Sequence, residues 1–189
     1  MGVGSSSRNI SADGSGATSP ITRIGLADSA LLPKPLAWNP PDEEWVEFIN
    51  GKMWWARGFT GEIPKDKLPM LPLRDALLRF GGNEVVLPGF EQDLNLIMDR
   101  GELRYGDGAE LRVGNPSSCH QNSALLFEDD PENLRIGTGY ALSDDGAWRQ
   151  HSWVFKRDGG IIETTVPRVA YFGVQLNQGA SEGFAYENL

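Results

Sequence analysis

Four β-rich segments separated by short turns, all in the second half of the chain, constrain its fold most strongly. Asp-Gly pairs in DDGA and RDGG lie between them, and such pairs strongly favour tight hairpins. The segments are LRIGTGYALS (134–143), WRQHSWVFK (148–156), IIETTV (161–166) and RVAYFGVQL (168–176). Because strands joined by tight turns run antiparallel, we expect an antiparallel β-meander.

Helices are expected mainly before this sheet. The segment CHQNSALLFEDD (119–130) carries apolar residues around nearly its whole circumference, which predicts a buried helix. Two further helices are predicted at about residues 73–80 and 91–99, and a short one over about residues 42–50. The expected fold class is therefore α+β, with an α-rich first half and a buried helix packed on the meander.

The first twenty residues differ from the rest of the chain in composition. They are rich in Gly and Ser and poor in apolar side chains, which predicts a disordered leader (1–20) followed by one domain (21–189). The opening MGVGSS also matches the pattern for N-myristoylation, in which Gly2 becomes the acceptor once Met1 is removed. A plain flexible leader explains the same residues.

Charge and cysteine content exclude several classes of protein. The net charge is −9 and no basic run is present, which argues against nucleic-acid binding and favours basic or neutral partners. No apolar run approaches the roughly 20 residues of a membrane span, and no signal peptide is visible. With 1 cysteine and 2 histidines, the chain offers no internal disulfide and little for a transition metal. We therefore expect a cytoplasmic protein without a metal or cofactor.

The cysteine is predicted to lie in the first turn of a helix. Ser118 with Gln121 forms one candidate capping box, and Asn115 followed by Pro116 forms another helix start. In either scheme the helix dipole lowers the pKa of the Cys119 thiol, which favours a nucleophile. The alternative is a small buried hydrophobe, since free cysteines are usually buried and inert.

His151 is the better candidate base for this thiol. His120 follows Cys119 directly and points about 100° away from it on a helix. His151 lies on a predicted strand, where it shares one face with Trp153. A satisfied core histidine is the alternative for His151.

A carboxylate is predicted beside His151 by the turn that follows it. If RDG forms a three-residue loop with Gly159 in the left-handed region, Lys156 pairs with Gly160. Glu163 then lies on the face of His151, one diagonal step away and within reach of its ring. A two-residue loop would turn Glu163 to the other face, where it would be an ordinary strand charge.

These residues resemble the papain-like cysteine hydrolases in the broad sense, which include NlpC-type peptidases and transglutaminase-like proteins. SSCHQNSALLF, RQHSWVF and IIETT follow the chain order of that superfamily over about residues 112–176. The resemblance implies a papain-like fold in which Cys119 is the nucleophile, His151 the base and Glu163 the residue that orients it. It also implies a polar side chain for the oxyanion, for which Asn115 and Gln121 are candidates beside the Cys119 N–H.

Two functions follow as expectations. The first is a cysteine hydrolase or acyltransferase that acts on an amide or peptide-type bond of a peptide or protein substrate, without a cofactor. The second is a non-catalytic interaction module on the same fold. In that case the meander or the aromatic segment MWWARGF (53–59) would bind a protein partner.

Overall fold

The computed structural model describes residues 61–86 and 91–189, which form a mixed α+β fold. In these two ranges four α-helices accompany the sheet: α1 (Leu71–Phe80), α2 (Leu94–Arg100), α3 (Cys119–Asp129) and α4 (Gln178–Asn188), with a 3₁₀ helix at Lys65–Met70. Seven strands form the sheet: β1 (Glu84–Val86), β2 (Glu102–Tyr105), β3 (Glu110–Leu111), β4 (Leu134–Leu142), β5 (Ala147–Lys156), β6 (Ile161–Glu163) and β7 (Ala170–Gln175).

The sheet is mostly antiparallel and is built around the two long strands β4 and β5. Its order is β2-β7-β4-β5-β6-β3, and β1 pairs with β5 on the same edge as β6. The β1–β5 and β3–β6 pairs are parallel, and all other pairs are antiparallel. The chain therefore runs β4–β5–β6 as a meander and then returns, so that β7 lies on the free edge of β4.

The expected α+β class is confirmed, while several elements differ in detail. The helices predicted at about residues 73–80 and 91–99 are α1 (Leu71–Phe80) and α2 (Leu94–Arg100). The part of the chain before α3 also contributes β1, β2 and β3, which the prediction of an α-rich first half missed. These strands have 3, 4 and 2 residues, too few for an alternating apolar pattern to stand out.

The two faces of the sheet are buried in different ways. Helices cover the face that carries the even-numbered residues of β4, β5 and β7, where α1 and α2 pack around Tyr140 and Trp148, and α3 and α4 around Ile136 and Val154. The opposite face is lined by rings that pack on one another: Trp153, Phe155 and Tyr171. Trp153 is only 1% exposed there, because the sheet curls around this face.

Helix α3 is buried on one side only, which corrects the expectation of a helix buried all round. Ala124 and Phe127 are fully buried, whereas Leu125 is 48% exposed. The sheet and α4 cover the first side, and nothing in the described part of the chain covers the second. Apolar residues around a short helix therefore overstated its burial.

The start of α3 also differs from both predicted capping schemes. Ser118 occupies the N-cap position, but its hydroxyl donates to the carbonyl of Pro116 (3.2 Å) rather than capping the helix. Gln121 is exposed, so no capping box forms. Pro116 lies before the helix, because the residues directly before Ser118 form a turn, in which Ser117 has φ 56°.

The hairpin between β5 and β6 has the predicted register. Lys156 N–H donates to the carbonyl of Gly160 (2.8 Å), and Gly159 has φ 84°. Val154 lies opposite Ile162 in the ladder. The three-residue loop is therefore confirmed, and Glu163 falls on the face that carries His151.

Some predictions fall on residues outside the described ranges. These are the leader (1–20) with Gly2, the helix at about residues 42–50 and the aromatic segment (53–59). Within the described ranges, every helix is too short or too polar to cross a membrane.

Close backbone contact between β4 and β7 generates a stability prediction. Gly139 has φ 153°, and a Cβ there would lie 2.3 Å from the carbonyl oxygen of Phe172. We expect Gly139→Ala to lower the free energy of unfolding by about 2–3 kcal/mol, through backbone strain and overpacking. Urea unfolding measures this.

Gly108→Ala is the matched control, because a Cβ at Gly108 meets no atom of the described residues within 4 Å. Its free energy of unfolding should change by less than about 0.5 kcal/mol. Equal losses in the two variants would contradict the close packing of β4 on β7.

Candidate active site

The start of α3 lies beside β5, the strand that carries His151. Among the described residues, β1 pairs with β5 as far as Arg149, and the ladder with β6 begins at Val154. Ser152 lies between these two ladders, and a hydrogen bond from its backbone N–H helps to lower the pKa of the Cys119 thiol. The first residue of α3 therefore lies next to the strand that carries His151.

The Cys119 thiol is partly buried and hydrogen-bonded to His151. Burial alone raises the pKa of this thiol. The hydrogen bond and the positive charge of His151 outweigh burial, with help from the N–H groups of Ser152 and His120. The pKa of Cys119 is therefore held below its ordinary value, which favours the thiolate.

His151 lies between the thiol and a carboxylate. Its side chain is buried, and its Nε2 lies 2.9 Å from Oε2 and 3.1 Å from Oε1 of Glu163. This leaves Nδ1 as the ring nitrogen for Cys119. Burial lowers the pKa of His151, but the hydrogen bonds to Cys119 and Glu163 outweigh it and raise the pKa above its usual range. The imidazolium form is favoured.

Glu163 is 1% exposed, yet each of its carboxylate oxygens accepts several hydrogen bonds. Oε1 accepts from the N–H and the hydroxyl of Thr165, both at 2.7 Å. Oε2 accepts from the hydroxyl of Tyr171 at 2.9 Å, in addition to His151. Burial would raise the pKa of Glu163, but the bonds from His151 and Thr165 lower it to about 2. The carboxylate is therefore ionised at neutral pH.

Tyr171 shows how far the sheet is curled. It lies on β7, which is separated from Glu163 on β6 by both β4 and β5. Its hydroxyl nevertheless reaches the carboxylate across the concave face. Burial and the charge of Glu163 raise the pKa of Tyr171, so the phenol keeps its proton and remains a donor.

Arg168 supports this arrangement from the chain between β6 and β7. Its guanidinium donates to the Thr165 hydroxyl (3.1 Å) and to the Ser143 hydroxyl. Sequence reasoning missed Thr165, Arg168 and Tyr171. Thr165 follows Glu163 by two residues and offered a local signal, whereas the position of Tyr171 depends on where β7 joins the sheet.

The two side chains predicted for the oxyanion are not drawn into this site. Asn115 and Gln121 are exposed, and within the described residues neither side chain hydrogen-bonds to the thiol, His151 or Glu163. The polar groups directed at the sulfur are instead backbone N–H groups, from Ser152 and His120. The first N–H groups of a helix lack partners inside it, so the Cys119 N–H remains a candidate oxyanion donor.

As its position on the helix predicted, the side chain of His120 is not the partner of the thiol. Its Nδ1 lies 2.6 Å from the Ser152 hydroxyl, and its ring meets Phe184 of α4 edge-on at 5.7 Å. Burial and the charge of His151 lower the pKa of His120. The two histidines of the chain therefore differ in charge preference within one site.

The assembled groups are of the types that covalent acyl transfer requires. His151 lowers the pKa of a thiol and is hydrogen-bonded to an ionised carboxylate. Within residues 61–86 and 91–189, no three His, Cys, Asp or Glu side chains form a group that could hold a metal ion. No protein-family model, curated protein or solved structure matches the chain.

Proposed function

We propose that the protein is a cysteine-dependent hydrolase or acyltransferase that acts on an amide or peptide-type bond. The observation that carries this proposal is that His151 both lowers the pKa of the Cys119 thiol and is hydrogen-bonded through Nε2 to the ionised Glu163. A papain-like fold forms part of the proposal. Its support is the cysteine at the start of a helix, with the histidine and the acid on adjacent antiparallel strands.

The proposed mechanism uses the thiolate–imidazolium pair. The Cys119 thiolate attacks the carbonyl carbon, and the Cys119 N–H stabilises the developing oxyanion. His151 then protonates the leaving amine, and Glu163 keeps the ring oriented and stabilises its positive charge. Water, deprotonated by His151, resolves the thioester in a hydrolase, and an amine does so in a transferase.

The expected substrate is a peptide or protein, and the net charge of −9 favours one that is basic or neutral near the bond. A reducing compartment such as the cytoplasm keeps the thiol available. The competing proposal, a non-catalytic interaction module, requires no reactive thiol. Thiol reactivity therefore separates the two.

The first prediction concerns the alkylation of Cys119, the chain's 1 cysteine, by iodoacetamide between pH 5 and pH 10. Since the pKa of the thiol is lowered, the rate at pH 6 should be a clearly larger fraction of its plateau than the roughly 0.3% that a thiol of pKa ~8.5 reaches. His151→Ala should bring the profile close to that of a free thiol.

Glu163→Gln should give an intermediate profile, because the carboxylate acts on the thiol only through His151. A wild-type Cys119 that titrates near pH 8.5, or one that is inert in the folded protein, would overturn the hydrolase proposal. The interaction module would then be favoured.

A second prediction tests acyl transfer itself. Incubation with p-nitrophenyl acetate should add one acetyl group to Cys119, detected by intact-protein mass spectrometry, and the adduct should then disappear by hydrolysis. His151→Ala should slow acylation by about 10²–10⁴-fold, the usual contribution of a general acid–base group. An acetyl group that forms equally fast without His151 would show that the histidine does not take part.

A third prediction follows from the ionised state that the proposal requires of Glu163. A carboxylate whose pKa is lowered in the folded protein stabilises the fold at pH values above its ordinary pKa of 4.5. This stabilisation is lost as the pH falls toward about 2. We expect the difference in unfolding free energy between wild type and Glu163→Gln to shrink by about 3 kcal/mol between pH 5 and pH 2.

Urea unfolding at each pH measures this difference. Glu128→Gln, at an exposed position of α3, is the control and should follow the wild-type curve. If the curves of wild type and Glu163→Gln run parallel, Glu163 is not held ionised in the folded protein.

A further inference from the structure

His120 fastens the start of α3 to β5. Its Nδ1 lies 2.6 Å from the hydroxyl of Ser152, whose side chain is fully buried. Phe184 packs against the edge of the imidazole from the side of α4. The hydrogen bond therefore holds the helix against the residue that directly follows His151.

Asn122 fastens the same helix end to a different part of the sheet. Its buried amide nitrogen donates to the carbonyl of Thr164 (3.2 Å) and to that of Asn115 (2.8 Å). Its amide oxygen accepts from the N–H of Asn115 (2.9 Å). Thr164 directly follows Glu163, so the hydrogen bond from Asn122 to Thr164 connects the helix to the segment that carries the acid.

The hydrogen bonds of His120 and Asn122 follow the same pattern. Each joins the first turn of α3 to the residue one position beyond a member of the site: Ser152 after His151 and Thr164 after Glu163. We propose that His120 and Asn122 are positioning residues, which set the distance between the Cys119 sulfur and the His151 ring by fixing the start of α3 to β5 and to the residue that follows β6. This inference rests on the proposed function of the same site.

Ser152 connects the hydrogen bond of His120 directly to the thiol. The side chain of Ser152 bonds to His120, and its backbone N–H donates to the Cys119 sulfur. Loss of the side-chain bond frees the helix end to move away from both the N–H and the neighbouring His151. A shift of about 1 Å is enough to weaken such a hydrogen bond substantially.

The charge states are compatible with this division of roles. Burial and the nearby charge of His151 lower the pKa of His120, so His120 is neutral when His151 is an imidazolium. A neutral imidazole bonds to a hydroxyl without competing for the thiolate. One histidine therefore serves the proton transfer, and the other holds the helix.

The experiment compares the alkylation pH profile of Cys119 in Ser152→Ala and Asn122→Leu with that of wild type. Ser152→Ala removes the partner of His120, and Asn122→Leu removes the amide while nearly conserving volume. Ser123→Ala is the matched control, because Ser123 is fully buried in α3 and its hydroxyl has no hydrogen-bond partner among the described residues. Thermal unfolding of each variant accompanies the profiles.

We expect both variants to react about tenfold more slowly than wild type at pH 6, which corresponds to a rise of one unit in the thiol pKa. Their plateau rates near pH 10 should match wild type, since access to the thiol is unchanged. Ser123→Ala should keep the wild-type profile even if it unfolds at a lower temperature. Folded variants whose profiles overlie wild type would overturn the inference.

Failure of the proposed function has a different signature, since wild-type Cys119 itself would then titrate near pH 8.5. If one variant does not fold, the other carries the test. If neither folds, histidine NMR of the wild-type protein decides: the pKa of His120 should lie below its ordinary value because its ring is buried against Ser152 and Phe184, and a His120 that titrates as an ordinary exposed imidazole would overturn the inference.

Discussion

The ionised carboxylate of Glu163 is the constraint on which the rest of the site depends. A buried charge is costly unless hydrogen bonds replace its lost water. Three elements supply those bonds: β5 through His151, the residues after β6 through Thr165, and β7 through Tyr171. Because the phenol comes from a strand three positions away from β6, the sheet must curl. The curvature of the sheet and the buried charge of Glu163 therefore depend on each other.

The second organising feature is the position of α3 beside β5. The first residue of this helix is Cys119, and a hydrogen bond from the backbone of Ser152 on β5 helps to lower the pKa of its thiol. His151 directly precedes Ser152 on the same strand. The thiol is thus aligned with His151 by the strand that carries the imidazole.

The local parts of this arrangement were predictable from sequence, and the non-local parts were not. The RDG loop fixed the register, so the position of Glu163 beside His151 followed from the turn chemistry of Gly159. The approach of α3 to the edge of β5 followed only from a resemblance. Nothing in the sequence placed β7 beside β4, and Tyr171 could therefore not be assigned. Asn115 and Gln121 were chosen by proximity along the chain, which does not report where a side chain points.

The three-residue loop between β5 and β6 also has a consequence for the order in which the molecule assembles. His151 and Glu163 belong to one hairpin, whose closure involves a short stretch of chain and is fast. Cys119 must approach from before β4, and Tyr171 arrives only when β7 pairs with β4, both at greater sequence separation. Contacts of high sequence separation form more slowly. We therefore expect the imidazole and its carboxylate to meet first during folding, and the thiol to join a partner that is already in place.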